Sequence, residues 1–170
     1  GLSSLWGSDA GNVYVVGGSG AVVRCTAGSN TCSPLTTGTT QDLSSVWGSD
    51  AANVYAVGGS GAVVRCAAGS STCTPLTTGT SQSIRSVWGS DATNVYAVGD
   101  NGTVVRCAAG SNTCTPLTSG TTQSLYSVWG SDAGNVYAVG STAGGGGLVV
   151  RCAAGASSCL PLNSGTVSTL

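Results

Sequence analysis

The feature that most constrains this chain is an internal repeat. Trp-Gly-Ser-Asp returns at Trp6, Trp47, Trp88 and Trp129, a period of 41 residues in a chain of 170. A unit of that length cannot bury its apolar face alone, so neighbouring units must stack and share a core. The units fall at 2–42, 43–83, 84–124 and 125–169 within one domain spanning 1–170. In the fourth, the stretch Ser141 to Gly147 lengthens one loop by four residues.

Inside each unit, short β-branched runs alternate with Gly, Ser, Asn and Asp, the pattern of brief strands joined by tight turns. In the third copy it predicts strands at Ser86–Trp88, Val95–Val98, Thr103–Cys107 and Cys114–Leu117. Asp100-Asn101-Gly102 suits positive φ and marks a hairpin turn. Pro34, Pro75, Pro116 and Pro161 all fall in the last strand of their unit. Proline cannot donate to a ladder, which makes that strand the outermost. Four antiparallel strands per 41 residues describe a blade of an all-β propeller. An open β-solenoid of the same units is the structural alternative.

Composition narrows function. The chain has no His, Lys or Glu, so general acid–base and metal-assisted catalysis lose their usual groups. A non-enzymatic protein without a cofactor is expected. Five dispersed Arg and a net charge of −1 offer no track for a phosphate backbone, which argues against nucleic acid as a partner. No apolar run approaches a membrane span, and the start shows no signal-peptide pattern. Gly1 and Leu170 read as the ends of an excised segment.

The stretch from Val87 to Arg106, present in all four units, resembles bacterial propeller repeats related to photosystem II assembly factors and to Asp-box proteins. The resemblance implies a propeller whose hairpin between third and fourth strands carries Ser/Thr-x-Asp-x-Gly-x-Thr-Trp. The matching stretch here runs from Cys107 to Cys114: Thr113 agrees, Ala109 stands at the Asp position, and both ends are Cys. The Asp-box sialidases would need an acidic and Tyr/Glu constellation, and this chain has no Glu.

Those cysteines form four equally spaced pairs: Cys25/Cys32, Cys66/Cys73, Cys107/Cys114 and Cys152/Cys159. Each pair brackets a hairpin, where facing positions lie within disulfide reach. Zinc sites use closer spacing and gather four ligands at one point, so no metal site is expected. Four disulfides place the chain in an oxidising setting, secreted, extracellular or periplasmic.

The repeated Trp, together with Tyr14, Tyr55, Tyr96 and Tyr137, reads as core between blades rather than as a stacking platform. Asp9, Asp50, Asp91 and Asp132 read as caps of their own turns. Arg24, Arg65, Arg106 and Arg151 match them in number and suggest ion-paired or hydrogen-bonded struts. Function should then use residues that break the repeat. Asp42, Arg85 and Tyr126 do so at the starts of successive first strands, a guanidinium beside an aromatic face with an acceptor one blade away. The expected role is binding or adhesion, in a lectin-like form for glycans or a cell-surface protein; the alternative is a structural module of an extracellular assembly.

Leu2, Leu43, Ile84, Leu125 and Leu170 share one phase, so four units must hide two apolar end faces. A four-bladed ring, a homodimer completing an eight-bladed ring, or a longer parent chain would each do so.

Overall fold

The computed structural model describes residues 1–166. Its strands form four antiparallel four-stranded sheets, one per sequence unit, each with its strands in chain order. The first sheet holds β1 (Leu2–Asp9), β2 (Asn12–Gly17), β3 (Val22–Cys25) and β4 (Cys32–Leu35). The second holds β5 (Leu43–Asp50), β6 (Asn53–Gly58), β7 (Val63–Cys66) and β8 (Thr74–Pro75). The third holds β9 (Ile84–Asp91), β10 (Asn94–Gly99), β11 (Val104–Cys107) and β12 (Thr115–Leu117). The fourth holds β13 (Leu125–Asp132), β14 (Asn135–Ser141), β15 (Gly147–Cys152) and β16 (Leu160–Leu162). This is a propeller architecture, with each proline on the outermost strand of its sheet.

The first strand of each blade is longer than its apolar run suggests. β9 pairs with β10 from Ile84↔Gly99 to Asp91↔Asn94, with register shifts near both ends. Those bulges absorb the polar Ser and Asp that seemed to end the strand. The first turn shrinks to Ala92-Thr93, closed by Asp91 Oδ1 accepting from Thr93 N–H at 2.7 Å. The turn at Asp100–Gly102 has Asn101 at φ 52° and Gly102 at φ 67°, the left-handed pair anticipated for it. In blade four the insertion extends the hairpin instead of looping outward, adding the pairs Gly140↔Leu148 and Ser141↔Gly147.

The core lies between blades. Each of three clusters joins one face of a sheet to the opposite face of the next: Tyr55, Val57 and Val63 of blade two, for example, meet Ile84, Val87 and Ala97 of blade three. The Trp is the knob of this packing. Trp6 lies against Gly48, Trp47 against Gly89 and Trp88 against Gly130, so closely that a Cβ on those glycines would stand about 2.6–2.7 Å from the indole. Backbone hydrogen bonds reinforce each joint outside the core, Cys73 N–H to Thr36 C=O at 2.8 Å and Cys114 N–H to Thr77 C=O at 2.8 Å. At the two ends, Leu2 and Leu5 are 68% and 69% exposed and Trp129 is 62% exposed, against 1% for Leu43 and Ile84. Blades one and four do not meet, and the described residues form an open arc. Leu170 lies outside the described residues.

Candidate functional site

All four predicted disulfides are present, Cys25–Cys32, Cys66–Cys73, Cys107–Cys114 and Cys152–Cys159, with Cα atoms 4.2–4.3 Å apart. Each closes its hairpin; in the first blade the two cysteines are direct register partners. The described residues hold no free cysteine and no group of three or more His, Cys, Asp or Glu that could hold a metal. Among the described residues no helix is long and apolar enough to cross a membrane.

The repeated acids cap their own turns. Asp50 Oδ1 accepts from Ala52 N–H at 2.7 Å, and its carboxylate also receives Ser49 Oγ and Asn53 Nδ2. Donors around an anion favour its ionised form, so these carboxyls titrate below the usual range, Asp91 furthest because the Thr93 hydroxyl joins its donors. With the Asp occupied locally, two of the repeated Arg find other partners. Arg65 Nη1 reaches across the blade joint to Ser111 C=O at 3.0 Å, while Arg151 Nη2 turns back to Asn135 Oδ1 at 2.9 Å. The strut reading holds at Arg65 as a hydrogen bond; no repeated Arg forms an ion pair with a repeated Asp among the described residues. Burial raises the Tyr55 phenol, consistent with its place in the core.

The repeat-breaking residues divide into two places. Arg85 and Tyr126, at the starts of β9 and β13, come together with the guanidinium carbon 5.6 Å from the ring centroid. Both are about half exposed, the Arg85 side chain at 48% and Tyr126 at 49%. Asp42 does not join them. Its Oδ1 accepts from Ser19 N–H at 2.7 Å, bracing the second turn of blade one. An acid placed just before β5 lies beside the turn of the preceding blade, and the sequence period alone does not reveal that direction.

A residue that the repeat pattern did not single out as a partner joins the pair: Arg85 Nε donates to Asp100 Oδ1 at 2.5 Å, the one ion pair among the described residues. Mutual interaction lowers the Asp100 carboxyl and raises the Arg85 guanidinium. The equivalent contact in blade four is Tyr126 Oη with Ser141 Oγ at 3.1 Å. A signal existed. Ile84 pairs with Gly99, the register shift leaves Arg85 as the extra residue beside that pair, and Asp100 follows Gly99; both depart from the repeat in the same copy. The result is a rim on which Asp100 holds the guanidinium and Tyr126 stacks beside it, leaving further N–H groups for an anionic or hydroxyl-rich ligand. By contrast, two grooves of about 480 and 590 Å³ on the outer edge carry no charged side chain.

No protein-family model matches the sequence, and no curated protein matches it. Solved structures do. A structure of YCF48 bound to D1 peptide is similar at TM-score 0.69 and 15% identity, over 95% of this chain and 53% of that one. YCF48 from Cyanidioschyzon merolae is similar at TM-score 0.68 and 18% identity, over 99% of this chain and 56% of that one. The chain thus spans about half the length of the solved structures it matches, and at these identities what it shares with the photosystem II assembly-factor propellers is the β-propeller fold.

Proposed function

We propose that this chain is a non-enzymatic binding propeller of an extracellular or periplasmic compartment, taking its ligand at the Arg85–Tyr126 rim. The observation that carries the reading is their juxtaposition, 5.6 Å apart and half exposed, at two positions where the repeat needs neither residue. A guanidinium beside an aromatic ring suits a glycan with a carboxylate or hydroxyl-rich edge. An acidic peptide offers the same chemistry, and the similar YCF48 structure carries a peptide. Such a site is small, and repetition of the chain on a surface would strengthen it through avidity.

The test is Arg85→Ser with Tyr126→Ser, which restores the residue of the first two blades at both positions. Glycan and peptide arrays should lose their signal while the melting curve stays in place. Unchanged binding would move the site elsewhere. As protein partner we propose a second copy completing an eight-bladed ring, supported by the two uncovered end faces.

A further inference from the structure

Resting on that second-copy reading, we propose that the joint is head to tail: the Trp129 face of blade four seats on the Leu5 face of blade one in another copy, built as the internal joints are. The three internal joints define the parts. Each sets a Trp on a Gly of the next blade, places a Ser Oγ near a backbone N–H, and pairs two backbone segments outside the core. The ends display one half each. Trp129 is exposed with no glycine beneath it, and Gly7 has no indole above it, its nearest neighbours being Val13 and Asn12 of its own blade. Cys32, whose counterparts Cys73, Cys114 and Cys159 donate N–H to the preceding blade, is exposed. A concavity of about 410 Å³ lined by Leu2, Ser3, Ser4, Leu5 and Val15 lies on the same open face.

The composition of that face argues that it is a joint and not a cap. Terminal repeats that face water become polar. Here the reverse holds: Leu5 stands where the other blades have Val46, Val87 and Val128, and its register partner Val15 stands where they have Ala56, Ala97 and Ala138. Both changes enlarge the apolar surface. Because the two faces differ, the contact is heterologous, and a ring or an open chain results according to the angle.

Complementary blocking variants test this. Leu5→Arg blocks one face and Trp129→Arg the other; both residues are exposed in the single chain, so its fold should survive, as unchanged circular dichroism melts would show. In analytical ultracentrifugation the unmodified chain should form a two-copy particle, and each variant alone should be monomeric, its association weakened at least about 30-fold as for a central interface anchor. Mixing the variants should restore a one-to-one complex, because one open face of each kind remains. Val15→Arg and Val139→Arg serve as the replacement pair if either variant unfolds. An unmodified chain that stays monomeric at hundreds of micromolar, a variant that still associates alone, or a mixture that does not associate would each overturn the proposal; a large open polymer that each variant alone dissolves would support the joint and overturn the closed eight-bladed ring. Array binding at Arg85 and Tyr126 is read separately, so loss of ligand binding and loss of the joint cannot be confused.

Discussion

Gly48→Ala and Gly7→Ala are the same change at the same place in two blades, and the knob packing predicts opposite outcomes. At Gly48 a Cβ would lie 2.6, 2.7 and 3.0 Å from Trp6 Cη2, Cζ3 and Cζ2. The indole is rigid and lies near the Tyr14 ring, their centroids 6.5 Å apart, so it cannot retreat without opening the joint. Overpacking of this kind costs about 1–3 kcal/mol. The lower entropy of the unfolded alanine chain offsets about 0.4–1 kcal/mol. At Gly7 the nearest atoms are Val13 Cγ2 at 3.2 Å and Asn12 C=O at 3.3 Å, which need yield only a few tenths of an ångström. Gly7→Ala should therefore be close to neutral, and Gly48→Ala should lose about 1–2 kcal/mol net, or roughly 2–8 °C in a chain of this size. The comparison belongs in the Leu5→Arg background, where no second copy covers Gly7. Urea unfolding followed by circular dichroism and tryptophan fluorescence gives the free energies, with coincident curves as the test for two-state behaviour. A Trp6→Ala background should abolish the cost of Gly48→Ala. If the two alanine variants agree within about 0.3 kcal/mol, or the cost survives without Trp6, the knob account is wrong.

Two other outcomes follow from burial and ionisation. In the dilute chain a thiol reductant should open Cys25–Cys32 first, because Cys32 is exposed whereas the cysteines of the other bridges are buried; each bridge closes an eight-residue loop and contributes about 2.5 kcal/mol. Differential alkylation with mass spectrometry reads the order, and earlier opening of Cys107–Cys114 would refute it. Stability should be flat from pH 5 to 8, since no side chain ionises there, and should fall below about pH 4. The capping Asp have folded pKa values depressed below 3.8 by their hydrogen-bond donors, so their contribution is present above the unfolded value and disappears as pH drops through the folded ones. A thermal-melt series that shows a midpoint near pH 6 would contradict this.

What the sequence made legible was whatever is local or repeated. Disulfides, turn caps, the positive-φ hairpin and the outer-strand prolines each depend on residues within one unit. Strand ends were harder, because the bulges at Ile84/Ser86 and Gly89/Asp91 continue pairing through polar residues. Relations between blades were hardest. The Gly after each Trp is as constant as the Trp itself, yet nothing local says that Gly48 is the seat for Trp6. The same limitation explains Asp42. Period places it beside Arg85 only if blades lean forward, whereas the turn that receives it belongs to blade one.

Near-identity among the copies has a physical consequence for where specificity can reside. A residue that builds every joint cannot distinguish one joint or one ligand from another, so discrimination falls to the few departures. They come as neighbours: Arg85 with Asp100, Tyr126 with Ser141, and Leu5 with Val15. The first two pairs lie on adjacent blades, away from the Trp-on-Gly contacts. The third lies on an end face, where the joint itself changes size. On the proposed reading, ligand choice and partner choice are thereby separated in space, and either can vary without altering the knob-and-seat contacts that hold blade to blade.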